Sequence, residues 1–143
     1  MQKIITKSKN ETIELGESIV SRLHGGEVVA LFGELGAGKT TFVQGMAKGL
    51  RIKRRILSPT FIIVRHYPIA NNKSFNVLYH IDLYRLKDPQ ELQGLGLTEL
   101  FASSDSIVVV EWPERLGTFL PQKRREIYFK YISDQEREIK WTT

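Results

Sequence analysis

The residues best suited to chemistry lie in one short stretch, Gly33-Glu34-Leu35-Gly36-Ala37-Gly38-Lys39-Thr40-Thr41. It matches G-x-x-x-x-G-K-[ST] at Gly33, Gly38, Lys39 and Thr40. Glycines let backbone N–H groups converge on phosphate oxygens with no Cβ in the way. A helix that starts directly behind them aims its N-terminal partial positive charge at the same oxygens. In such loops the lysine, here Lys39, reaches the β- and γ-phosphates, and the hydroxyl at the Thr40 position ligates Mg²⁺. The flanks agree: the apolar run Val28 to Phe32 enters as a strand, and Phe42 to Leu50 leaves with helical character. The stretch predicts a nucleoside triphosphate site.

Hydrolysis needs more than phosphate binding. Mg²⁺ usually takes one or two carboxylates, and the attacking water must be oriented. In doubly wound sheets the ligand crevice lies beyond the carboxyl ends of the strands, so acids there are the candidates. Two predicted strands end on an acid, Tyr79-His80-Ile81-Asp82 and Val108-Val109-Val110-Glu111. Asp82 is short enough to hold Mg²⁺ directly or through water, whereas Glu111 reaches further, toward a water or an outer ligand. Thr60, in Ser58-Pro59-Thr60, suits a loop that folds over the γ-phosphate, and the same string equally suits an ordinary turn. Arg85 follows Asp82 and has a phosphate or an acid within its reach. Trp112 suits the lining of the site or the core, with spacing alone favouring the core; His80 reads as a partly buried structural histidine, and Thr12 has no chemical signature.

The supporting elements follow in chain order. Lys3 to Thr6 is a short strand, and Asn10 is the expected N-cap of a helix over residues 11–23 that ends at Gly25-Gly26. Glu27 to Phe32 is a strand whose unbroken apolar run suits burial on both faces. After the loop's helix, Phe61 to Tyr67 and Phe75 to Ile81 form a hairpin connected through Asn71-Asn72. Asp88-Pro89-Gln90-Glu91 begins a helix broken by Gly94 and Gly96, and residues 98–102 make another turn. Ser106 to Glu111 is the second fully apolar strand, and Arg124 to Ile132 and Arg137 to Trp141 close the chain as two strands. The expected class is α/β: a single P-loop NTPase-like domain over residues 1–143, with a mixed, mainly parallel central sheet flanked by helices.

Composition excludes several alternatives. The chain has 143 residues, 41% hydrophobic and 26% charged, as in ordinary globular domains. No apolar run approaches the ~20 residues that span a bilayer, and Met1-Gln2-Lys3-Ile4-Ile5 has no signal-peptide character. Without cysteine there is no disulfide and no thiol nucleophile. The formal net charge is +5, with basic groups at Lys48, Arg51, Lys53, Arg54 and Arg55 and at Lys123, Arg124 and Arg125. Such groups attract nucleic acid or an acidic protein face, and they equally suit a solvated surface.

Four motifs now stand in order: Gly33 to Phe42, Ser58-Pro59-Thr60-Phe61, His80-Ile81-Asp82-Leu83-Tyr84-Arg85, and Glu111-Trp112-Pro113-Glu114-Arg115. Together they resemble the TsaE family, small P-loop ATPases of bacterial tRNA threonylcarbamoyladenosine synthesis. The resemblance runs from about Asn10 to Arg115. It implies a cytoplasmic ATPase using ATP and Mg²⁺, required for the N6-threonylcarbamoyl modification at position 37 of tRNAs that read codons beginning with A. The implied partners are a transferase subunit and its inactive paralogue, a heterodimer that ATP hydrolysis resets between turnovers. Contact with tRNA is expected to be indirect. By the family's pattern, Gly33 to Thr41 cradle the nucleotide, and Lys39, Asp82, Glu111 and Thr60 carry catalysis. Thr40 and Asp82, with Glu111, form the magnesium environment, Thr60 is the switch threonine, Trp112 lines the pocket and Thr12 belongs to the adenine wall.

Other P-loop functions fit less well. A small kinase needs an acceptor pocket and an arginine-bearing lid, for which 143 residues leave little room. A guanine-specific switch carries N-K-x-D, and the nearest string, Asn72-Lys73-Ser74-Phe75, lacks the acid. A nucleotide-dependent binding module with incidental hydrolysis remains compatible with the residues.

Overall fold

The computed structural model describes residues 1–56, 63–70 and 74–142. Seven strands build one sheet: β1 (Gln2–Thr6), β2 (Val28–Phe32), β3 (Val64–Pro68), β4 (Val77–Asp82), β5 (Ser106–Glu111), β6 (Arg125–Tyr131) and β7 (Arg137–Trp141). Their order across the sheet is β1-β7-β6-β2-β5-β4-β3. The central strands β6, β2, β5 and β4 pair in parallel, while β7 and β3 run against their neighbours. This is the mixed, mainly parallel α/β sheet expected. Because the central strands share a direction, the chain leaves β2, β5 and β4 at the same edge, where Phe32, Glu111 and Asp82 end them.

The apolar runs of β2 and β5 are continuous because both faces are covered. On one face Val29, Leu31, Ile107, Val109 and Ile127 pack with Phe42, Val43 and Met46 of helix α2 (Lys39–Gly49). On the other, Val28, Val108 and Val110 pack with Leu83, Leu97 and Leu116. Leu97 opens α3 (Leu97–Ala102), and Leu116 lies in a 3₁₀ segment, Pro113–Phe119. No helix among the described residues is long and apolar enough to cross a membrane.

Helix α1 (Lys9–Ile19) starts two residues earlier than expected and is capped by Ser8, not Asn10. The Ser8 hydroxyl accepts from the Glu11 N–H at 3.1 Å, and the Glu11 carboxylate reaches back to the Lys7 N–H at 2.6 Å. This is a variant of the Ser-x-x-Glu capping box, and two satisfied donors outcompete a lone Asn. The helix also stops early: Val20–Arg22 tighten into a 3₁₀ turn, with the Leu23 N–H bonded to the Val20 carbonyl. The segment after Asp88 is likewise a 3₁₀ turn, Pro89–Leu92, capped by the Asp88 carboxylate. The hairpin β3–β4 is present and antiparallel, its strands shifted to Val64–Pro68 and Val77–Asp82. Phe61 and Asn71-Asn72 lie outside the described residues.

Helices α1 and α2 cross at glycines. A Cβ on Gly45 would sit 2.1 Å from the Ile13 carbonyl oxygen, and one on Gly16 would sit 2.2 Å from that of Phe42. Both obstacles are backbone, so neither can swing aside. Gly45→Ala is therefore expected to cost about 1–3 kcal/mol or more through forced separation of the helices, read as a lower urea midpoint. An unchanged midpoint would mean the helix pair can slide apart freely.

Candidate functional site

The glycine loop springs from the end of β2. Gly38, with φ of 103°, caps α2 in the left-handed region, where a side chain would be strained. Glu34, Leu35 and Gly36 stand exposed at the tip, while Ala37 is buried and anchors the loop beneath them. Its N–H bonds to the Glu34 carbonyl at 3.1 Å. Thr41 is half-buried one residue further into α2.

Lys39 opens α2 and turns back under the loop. Its ammonium donates to the Gly33 carbonyl and lies 3.9 Å from the centroid of the Trp112 ring. Burial pushes the amine below its ordinary value, while the carboxylates of Glu111, Glu114, Asp82 and Glu34 pull it back up. The result is a desolvated cation in a mostly acidic setting, poised for an anionic ligand.

One residue on, the Thr40 hydroxyl lies 3.2 and 3.1 Å from the two Glu111 carboxylate oxygens. Glu111 is also joined to His80 Nε2 at 2.6 Å. His80 is fully buried, more deeply than its sequence suggests, and its Nδ1 has no hydrogen-bond partner. Strand register explains the meeting: Asp82 stands opposite Glu111 across β4–β5, so His80, two residues back, shares its face. Asp82 is buried as well, and its Oδ1 accepts from the Tyr84 N–H at 2.9 Å.

Trp112 sits between the two places open to it, the core and the lining of the loop. It is half-exposed, with φ of 60°, a conformation uncommon for a bulky residue. That backbone turn lays the indole over Lys39 at the margin of the core that holds Val108 and Val110, with the Arg115 guanidinium 5.5 Å from the ring. Backbone strain of this kind collects at functional sites.

The structure thus brings Lys39, Thr40, Asp82, Glu111 and Trp112 together beside the loop. The Thr12 hydroxyl is buried and meets that of Thr6 at 2.8 Å. Thr60 lies outside the described residues. Arg137, at the start of β7, carried no signal in the sequence. Its side chain lies 3.5 Å from where a Gly38 Cβ would stand, and its guanidinium is stacked 4.6 Å from the Tyr131 ring centroid. Only the pairing of β6 with β7 brings this arginine back to the loop, a long-range placement that no local pattern encodes.

A family model, threonylcarbamoyl adenosine biosynthesis protein TsaE, matches residues 6–139, a span that holds all of these side chains. The chain belongs to the TsaE family. Among its relatives, the tRNA threonylcarbamoyladenosine biosynthesis protein TsaE of Bacillus subtilis (strain 168) is 41% identical over 137 residues, covering 96% of this chain and 82% of the relative. The protein of the same name from Nostoc sp. is 38% identical, covering 99% and 86%. That from Treponema pallidum is 35% identical, covering 96% and 97%. In three dimensions the chain is similar to the crystal structure of Bacillus subtilis YdiB, with a TM-score of 0.79 at 35% identity, covering 99% of this chain and 84% of that one.

Proposed function

We propose that the chain is a Mg²⁺-dependent ATPase that serves tRNA threonylcarbamoyladenosine biosynthesis without carrying out the carbamoyl transfer itself. The observation that carries this reading is the meeting of Lys39, Thr40 and Glu111 at the mouth of the glycine loop. The loop amides and Lys39 bind the phosphates, and Trp112 shields the lysine from water. Thr40, Asp82 and Glu111 offer hydroxyl and carboxylate oxygens, a donor set that suits Mg²⁺, which takes few carboxylates and completes its shell with phosphate and water. When bound, the ion neutralises charge shared by the β- and γ-phosphates. Among the described residues there is no cluster of three or more His, Cys, Asp or Glu of the kind that holds a metal unaided. Metal affinity in this reading therefore depends on the nucleotide.

Glu111, fixed from two sides by Thr40 and His80, orients the attacking water, and Thr60 closes over the γ-phosphate. Thr12 and the start of α1 contribute to the adenine wall. The partners are the transferase subunit and its inactive paralogue, acting in the cytoplasm on tRNAs that read codons beginning with A, and hydrolysis resets that complex. The test is phosphate release from ATP with water as sole acceptor, with and without the heterodimer. Slow Mg²⁺-dependent release by the chain alone, raised by the heterodimer, is the expected result. A rate indifferent to the heterodimer would remove the resetting role, and no release under either condition would remove the ATPase.

A further inference from the structure

The two basic groups in the sequence have different fates in the fold. In the second, Arg124 is paired with Glu126 at 3.0 Å and Arg125 with Glu27 at 2.7 Å. The first is almost unopposed. Lys9, Lys48, Arg54 and Arg55 line a groove of about 390 Å³ together with Gln44, Ala47, Ile52 and Ile56. Among the described residues no carboxylate lines it, and all four cations are exposed. Among the described residues, the one ion pair any of them makes is Lys48 with Glu17, at 3.7 Å and largely in solvent.

The imbalance reaches beyond the groove. Residues 35–81 hold eight of the 21 Lys and Arg and none of the 16 Asp and Glu, so without this stretch the chain would be net acidic. Lys9 arrives from the start of α1, Lys48 from the end of α2, and Arg54 and Arg55 from the segment that follows. Three separate pieces of chain therefore bring like charges together, which costs energy unless an anion is met there.

We propose that this groove binds the phosphodiester backbone of RNA directly. A protein partner is the poorer fit, because protein interfaces are anchored by aromatic or aliphatic side chains at a desolvated centre. Here Ala47 and Ile56 are already buried and Ile52 is half-buried, so among the described residues the floor offers no apolar anchor. What it offers is cations spaced along a trough, the footprint of backbone contact without base reading. The substrate of the family's pathway is an RNA, and the unopposed groove argues for direct contact where the sequence alone suggested an indirect one. The inference does not depend on ATP hydrolysis.

The test is binding of an unmodified tRNA transcript to the full chain, by anisotropy over a range of salt. Log affinity should fall with log salt by about 0.9 for each phosphate neutralised in a duplex. The variant Lys48→Gln, Arg54→Gln, Arg55→Gln should flatten that slope by about 2–3 and weaken binding about 10-fold or more at low salt. Basal ATP turnover should be unchanged, which keeps this result separate from the ATPase reading. The control Lys123→Gln, Arg124→Gln should leave slope and affinity close to wild type. Transcript binding with an unaltered slope in the groove variant would overturn the proposal, as would no binding at all. Poly-glutamate that binds as tightly as the transcript, and loses affinity in the same variant, would also overturn it, in favour of an acidic protein partner.

Discussion

Replacing Lys39 by methionine is expected to abolish ATP turnover while leaving the nucleotide-free protein more stable. The first effect follows from charge: in the proposed function the ammonium meets phosphate oxygens on binding and again as charge develops in the transition state. Loss of one preorganised donor at such a position costs about 10²–10³-fold in rate, and Lys39 also contributes to binding, so the combined loss should leave no measurable turnover. The second effect follows from burial, which lowers the lysine from its ordinary 10.5. A base whose folded-state value is depressed binds protons more readily when unfolded. Stability therefore rises with pH as the amine titrates between its folded and unfolded values, and below both the penalty is fully present. Methionine keeps most of the stem and removes that penalty. Thermal melts at neutral pH, alone and with ATP, read both effects. A folded variant that hydrolyses ATP at the wild-type rate would refute the phosphate site, and a lower melting temperature would show that the Gly33 and Trp112 contacts outweigh desolvation.

Glu111→Gln and Asp82→Asn should fail in different ways. Glutamine preserves the shape of Glu111 but cannot accept a proton or hold a full negative charge beside a water. General-base contributions of about 10²–10⁴ in rate are typical, so turnover should fall by that order with ATP affinity largely kept. Asparagine at Asp82 removes ligand charge and should raise the Mg²⁺ concentration needed for half-maximal rate, with much of the rate recovered at high Mg²⁺. Single-turnover rates across a Mg²⁺ titration separate the two. Superimposable profiles would end the division of labour between a water-orienting Glu111 and a metal-facing Asp82. Because Glu111 is clasped by both Thr40 and His80, its amide variant must also be shown to fold.

Much of this site was legible before the fold. The glycine loop is a local device, so its spacing and its strand and helix flanks suffice to place Lys39 and Thr40. The two acids were legible because apolar runs that end on a carboxylate mark strand termini, and parallel strands bring their termini to one edge. Helix limits were less so: Ser8 with Glu11 outcompeted Asn10 as the cap, a contest decided by two hydrogen bonds. Trp112 could not be placed by spacing, because apolar character suits core and pocket alike and it is a left-handed backbone at that one residue that lays the ring over Lys39. The Glu111 contact of His80 and the place of Arg137 went unread for a common reason. Their partners, Glu111 and Gly38, are set by cross-strand register and by a hairpin folding back, and neither leaves a mark in neighbouring residues.

Strand β2, which launches the glycine loop, lies between β5 and β6, and among the described strands β1 pairs with β7 alone. Synthesis therefore delivers the loop long before either flank of its strand. A nascent chain that has just released residues 28–38 has no parallel neighbour for them until residues 106–111 emerge, and no second neighbour until 125–131. Pairings between such distant segments are slow to form and leave apolar edges open to other chains in the interval. A chain ending at Leu120 would carry the whole glycine loop on an incomplete sheet, with the edge of Val28–Phe32 that β6 covers left bare. Ability to hold nucleotide should appear late and abruptly along the growing chain, when the final hairpin closes over Gly38.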